Sequence, residues 1–305
     1  MKDVIIIGSG PGGMTAALYA SRSDLSVLVI ERGAPGGQLM NTADVENYPG
    51  VGLVTGPDLA MSMYENSSNF GAEHAYGNVI SIEDHGAVKK VICDDATYEA
   101  KAVIIASGSD HRKIGIPGEE EYSGRGVSYC AVCDGAFFKD RHLVVIGGGD
   151  SAVEEGLYLT QFASRVTIVH RRDELRAQKI LQERAFKNEK IDFQWNKVPV
   201  AIEGDDVKVQ SVQLKDTQTG EVENFLADGV FIYIGLDPLT EFAKDLSITN
   251  EEGWIQTNNH METRLPGIYA IGDVRDTVLR QIATAVGDGS IAGQEVYKYI
   301  TSLED

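Results

Sequence analysis

Cysteine is scarce: Cys93, Cys130 and Cys133 are the only three in 305 residues. So few thiols in a chain this long do not make the disulfide framework of a small secreted domain. Two of them at x2 spacing point instead to redox chemistry or to a metal. Positive charge is also short, with 27 Lys and Arg against 46 Asp and Glu, a net charge of −19 and a pI near 4.7. That balance argues against nucleic acid, which demands a basic surface to release counterions, and against an anionic membrane. Acidity by itself names no partner. No apolar run approaches the ~20 residues that span a bilayer. The four apolar residues after Met1-Lys2-Asp3 are too few for a signal-peptide core, so a cytoplasmic protein is expected. Hydrolytic signatures are missing too. There is no Gly-x-Ser-x-Gly elbow, His-x-x-x-His zinc helix or Walker loop, and the six histidines are scattered.

What is present is a duplicated pattern. The length suits about two domains, each with its own core, and 43% hydrophobic with 24% charged residues is ordinary for a globular protein. Val4–Ile7 leads into Gly8-Ser9-Gly10-Pro11-Gly12-Gly13, and Leu143–Ile146 leads into Gly147-Gly148-Gly149-Asp150-Ser151-Ala152. The copies run in step without gaps, Leu18-Tyr19 matching Leu157-Tyr158 and Val27–Ile30 matching Val166–Val169. Each copy therefore reads as strand, glycine turn, helix, strand, the βαβ unit of a doubly wound sheet. The expected fold class is α/β with two Rossmann-like dinucleotide-binding domains. Further strands are expected at Val103–Ala106, Val207–Leu214, Phe225–Leu226, Val230–Ile234 and Gly267–Ile271, with a terminal helix from near Gln281. Turn residues and charge at 116–121 and Asp237-Pro238 mark two crossings. The expectation is a discontinuous domain, 1–111 and 240–305, into which residues 112–239 are inserted with the cysteine pair.

The copies differ where a dinucleotide is discriminated. From Gly8 the chain runs 23 residues to Glu31; from Gly147 it runs 23 residues to His170, followed by Arg171 and Arg172, with Arg176 about a helical turn further on. Gly8, Gly10 and Gly13 permit a tight turn, close approach of the backbone to a pyrophosphate, and a helix start with free N–H groups. Glu31 suits a ribose diol and repels a 2′-phosphate, so this copy is expected to hold FAD or NAD. The guanidinium forks of the second copy suit a phosphate dianion, so that copy is expected to bind NADPH around Gly147 and Gly149. Zinc at Cys130 and Cys133 would need further ligands, and Cys93 has no nearby Cys or His to complete a set, so no metal is expected. A dithiol/disulfide couple is the remaining reading; Cys93 itself reads as a small buried strand residue. Asp273, after an apolar strand, suits the ribityl chain of a flavin, and the helix start near Gln281 can stabilise negative charge on a reduced ring.

Taken together, Gly8–Gly13, Gly36-Gly37-Gln38, Val45–Gly50, Cys130–Gly135, Gly147–Ala152, His170–Arg176, Gly272-Asp273 and Arg280-Gln281-Ile282 resemble the low-molecular-weight bacterial thioredoxin reductases over essentially the whole chain. The resemblance implies a homodimeric enzyme using FAD and NADPH with thioredoxin as its protein substrate. It implies that Cys133 faces the flavin, Cys130 attacks the partner disulfide and Asp134 exchanges protons. It places Gly37, Gln38, Asn47, Asp273, Gln281 and Ile282 on FAD, and Ser151 on NADPH beside His170 and the arginines. It also implies rotation of the inserted domain, expected about 115–119 and 235–238. Ser107 stands where the family usually has Thr, and Gly13 where Ala is common. Neither alters the chemistry.

Overall fold

Short β-branched runs that end in glycine become the central strands, because side chains on both faces of such strands are apolar and both faces are covered. The computed structural model describes residues 1–42 and 44–303. The chain divides into one unit of Met1–Asp110 with Asp237–Asp305 and a second unit of His111–Leu236.

In the first unit, the strands Glu73–Tyr76, Val27–Glu31, Lys2–Ile7 and Thr97–Ile105 lie side by side in that order, all parallel. Ile5, Ile6, Val29 and Ile104 are wholly buried, Ile6, Val29 and Ile104 against the helices and Ile5 on the opposite face. The strand Thr97–Ile105 uses its free edge twice. Residues 97–100 pair antiparallel with Val88–Cys93, which turns back on Val79–His85, and residues 103–105 pair parallel with Ile268–Ala270. One long strand thus joins the N-terminal half of the unit to its C-terminal half. The hairpin went unread in the sequence, since its alternating pattern is short and broken by charge. Cys93 is buried in it, as expected. The helix Pro11–Arg22 packs closely on Ile282–Ser302. The close approach depends on Gly289, where a Cβ would collide with the carbonyl of Gly12, and on Gly293, which faces Ala16 and Tyr19.

The second unit is built on a five-stranded parallel sheet in the order Val127–Ser128, Gly229–Tyr233, His142–Gly147, Arg165–His170, Ile191–Trp195. The antiparallel strands Lys197–Gly204, Val209–Asp216 and Val222–Leu226 form a second, smaller sheet. Residues 114–116, next to the crossing expected at 115–119, form a tied turn inside this unit. The buried Glu119 carboxylate accepts the N–H groups of Ile114 (2.9 Å), Gly115 (2.6 Å) and Ile116 (3.4 Å), and the Tyr129 hydroxyl at 2.6 Å. The chain passes between units earlier, at Asp110–His111, and returns at Leu236–Asp237.

Candidate functional site

Both glycine turns sit at the C-terminal end of a strand with parallel neighbours on either side, where strand order reverses; that crevice is where ligands bind in open α/β sheets. In the first turn, Gly8 takes φ +102° and a Cβ there would strike the carbonyl of Ala106, so only glycine fits. A Cβ at Gly13 would collide with the carbonyl of Gly8, whereas one at Gly10 would meet nothing within 4 Å. The loop is closed behind and open in front. Glu31 is held rather than free: its carboxylate accepts the Ser9 N–H (2.8 Å), the Ser9 hydroxyl (2.9 Å) and the Gly33 N–H (2.9 Å). Ser9 was not singled out in the sequence, yet it is the residue that aims the acid.

The other residues expected on FAD belong to the same unit. Gly37 takes φ +54° with its Cα side against Gly10. Gln38 donates from Nε2 to the Ser109 carbonyl at 3.1 Å, and Asn47 donates from Nδ2 to Oε1 of Gln281 at 3.0 Å. Gln281 caps the long helix reciprocally with Thr284, and Ile282, its first residue, packs on the small cluster of Leu39, Val45 and Leu59. The segment 37–47 and the helix start are therefore brought together. Burial pushes the Asp273 carboxyl up to about 6, against the pull of Arg280 and with a further push from Asp288. Arg280 itself lies on the Trp254 ring, 3.6 Å from its centroid, a contact the sequence did not announce.

In the second turn, Gly147 has φ +147° with no room for a side chain against the Tyr233 carbonyl, and Gly149 is open. Ser151, Arg171, Arg172 and Arg176 are exposed, and the N–H of Arg176 donates to the Gly148 carbonyl at 2.7 Å, which draws the arginine loop onto the glycine turn. His170 differs from the arginines in its exposure. It is buried beneath the loop, its ring in the space a Cβ of Gly148 would need, and its Nε2 has no hydrogen-bond partner among the described residues. Burial and the three arginines hold this imidazole toward its neutral form.

Cys130 and Cys133 form a disulfide with Cα atoms 5.3 Å apart. They bracket a single turn, Ala131–Asp134, in which the Cys133 N–H points at Cys130 Sγ (3.1 Å) and Asp134 N–H donates to the Cys130 carbonyl (3.2 Å). Cys133 is exposed, Cys130 and Asp134 half-buried. The turn rests on the helix Asp150–Leu159 of the second βαβ motif, since Gly135 sits against Leu159 and Ala131 shares a cluster with Ala152 and Tyr233. On that helix, burial with Glu154 alongside pushes the Glu155 carboxyl up to about 7 from an ordinary 4.5. A raised carboxyl favours the fold fully at low pH and loses that contribution as pH climbs through about 4.5 to 7. At ~1.4 kcal/mol per pH unit this is on the order of 3 kcal/mol. Urea midpoints of wild type and Glu155→Gln, compared at pH 5 and pH 8, are expected to diverge, the variant lacking that part of the loss. Parallel pH dependence of the two would rule out a buried, titrating Glu155.

Among the described residues no helix is long and apolar enough to cross a membrane, and no three His, Cys, Asp or Glu side chains cluster to hold a metal. Two glycine turns for dinucleotides and a disulfide in one chain define a pyridine-nucleotide-dependent disulfide oxidoreductase. Residues 2–289 match the pyridine nucleotide-disulphide oxidoreductase family. The thioredoxin reductase of Bacillus subtilis (strain 168) is 60% identical over 99% of this chain and 96% of its own length, and that of Peptoclostridium litorale 46% identical over 99% and 98%. The solved thioredoxin reductase of Lactococcus lactis in its FR conformation superposes with a TM-score of 0.98 at 59% identity, covering 99% of this chain and all of that one. The chain belongs to the pyridine nucleotide-disulphide oxidoreductases, in their thioredoxin-reductase branch.

Proposed function

We propose that the chain takes electrons from NADPH at the second glycine turn, passes them through FAD at the first, and delivers them by way of Cys130 and Cys133 to the disulfide of thioredoxin. The residues present suit both groups. Gly10 and Gly149 leave backbone open to a pyrophosphate, Glu31 is aimed for a diol, and Asp273 is a half-buried carboxyl close to Arg280. Three exposed guanidinium groups border the second loop, with His170 buried beneath it. FAD supplies, when bound, a junction between a two-electron hydride donor and a disulfide. Gly8, Gly10, Gly13, Gly37, Gln38, Asn47, Gln281 and Ile282 would hold it, and Gly147, Gly149, Ser151, Arg171, Arg172 and Arg176 would hold NADPH.

The protein's own part is thiol–disulfide exchange. Once the pair is reduced, the Cys130 thiolate attacks one sulfur of thioredoxin's disulfide, forming a mixed disulfide and releasing the other sulfur as a thiolate. Cys133, held next to Cys130 by the turn, attacks Cys130 Sγ, re-forms the internal disulfide and frees the second thiol of thioredoxin. The two protons of the dithiol end on thioredoxin, and Asp134, one residue beyond Cys133, would carry them. The observation that carries this reading is the Cys130–Cys133 disulfide mounted on the same unit as the arginine-bearing turn. The test is NADPH consumption by the purified yellow protein with thioredoxin and a chromogenic disulfide. Consumption that rises with thioredoxin concentration supports the reading, and consumption indifferent to it refutes it.

A further inference from the structure

Four amides of residues 130–134 donate described hydrogen bonds that hold the redox turn, and three of these bonds are local. Cys130 N–H donates to the Ser128 hydroxyl (3.0 Å), Cys133 N–H to Cys130 Sγ (3.1 Å), and Asp134 N–H to the Cys130 carbonyl (3.2 Å). The fourth comes from far along the chain: Ala131 N–H donates to the hydroxyl of Tyr233, at 3.0 Å, across a separation of 102 residues. Tyr233 ends the strand Gly229–Tyr233, next to the glycine-turn strand, and only 7% of it is exposed. Its ring is wedged edge-on against His111, 5.8 Å between centroids, and packs with Ala131 and Ala152. A buried hydroxyl on a rigid central strand is thus the one long-range hydrogen bond among these four.

We propose that Tyr233 is a positioning residue for the Cys130–Cys133 couple, its hydroxyl engaging the Ala131 amide and so setting the balance between disulfide and dithiol. The inference rests on the reading of that pair as the redox couple. Reduction converts the disulfide to two thiols with two electrons and two protons; in the proposed activity NADPH supplies a hydride equivalent and solvent supplies the second proton. In the reduced pair the charged species is a thiolate, and an adjacent amide N–H that donates to it favours that charge. While Tyr233 accepts the Ala131 N–H, that donor is withheld from Cys130. Burial, with the charges of Glu155 and Asp134, keeps the phenol firmly protonated and therefore a neutral, constant acceptor.

Tyr233→Phe removes the acceptor and keeps the ring. In the disulfide form the buried Ala131 N–H is then left without a partner, which is costly, whereas in the reduced form it can turn to the thiolate. Two shifts are expected in the holoenzyme. Equilibration with glutathione buffers, in which two glutathione thiols become one glutathione disulfide, moves about tenfold toward the dithiol. The pH midpoint for alkylation of the reduced pair by iodoacetamide moves down. NADPH affinity, read by fluorescence quenching, stays at the wild-type value and shows that the unit remains folded. An unchanged glutathione equilibrium, a shift toward the disulfide, or slower turnover with an unchanged alkylation profile would each overturn the proposal. Failure of the underlying reading is distinguishable, since wild-type protein itself would then not reduce thioredoxin.

Discussion

Cys133→Ser is expected to trap thioredoxin and Cys130→Ser is not. In the proposed exchange, Cys130 makes the mixed disulfide and Cys133 resolves it, so a serine at 133 leaves an attacking thiol with nothing to release the product. Incubated with a single-cysteine thioredoxin activated as its mixed disulfide with thionitrobenzoate, the pre-reduced Cys133→Ser variant should displace the coloured thionitrobenzoate, run as a covalent complex on a non-reducing gel and separate on adding dithiothreitol. Cys130→Ser should give little complex. Both variants should lose turnover with thioredoxin by at least about a thousandfold, as expected when one member of a unit acting together is removed. Both should retain NADPH-dependent reduction of ferricyanide, because that path does not need the pair. The half-buried setting of Cys130 and the exposure of Cys133 make the gel result informative. Complex formation by Cys130→Ser alone would reverse the assignment, and wild-type turnover by either variant would end the dithiol scheme.

Replacing Arg171 and Arg172 together is expected to cost NADPH binding about a hundredfold or more and to leave NADH nearly untouched. Each hydrogen bond to a charged group contributes roughly 1.5–3 kcal/mol, and ~1.4 kcal/mol is tenfold in affinity. Both side chains are exposed at the end of the strand Arg165–His170, so Arg→Ala there removes charge without opening a core cavity. His170 should behave differently. It is buried under Gly148, so His170→Ala is expected to disturb the glycine turn and weaken NADPH and NADH alike. Dissociation constants for both coenzymes, measured by fluorescence, separate the two outcomes. An unchanged preference for NADPH in the double arginine variant would remove the loop from coenzyme choice.

Much of this site could be read in the chain because its requirements are local. A glycine turn after a buried strand, an acid or a basic cluster at a fixed interval, and a Cys-x-x-Cys pair are all backbone-spacing facts, visible without knowing what packs on what. His170 shows the limit of that reading. Its position in the motif is the same as that of Glu31, but its side chain goes beneath the loop because Gly148 has no Cβ to exclude it. Residues 114–119 show the same limit, since turn composition gives no sign that three amides and Tyr129 converge on Glu119.

By itself the sequence determined the α/β class, the duplicated βαβ motif, the acid at one glycine turn against the basic cluster at the other, and the cysteine pair, since periodicity, glycine placement and charge at the second strand's end act over a few residues. Tertiary structure alone decided which side chains hold those parts in working order. Ser9 on Glu31, Asn47 on Gln281 and Tyr233 on Ala131 are contacts between positions 22, 234 and 102 residues apart. No local pattern encodes them, because a hydrogen bond across such a distance exists only after the strands have taken their order in the sheet and burial has removed water as the competing partner.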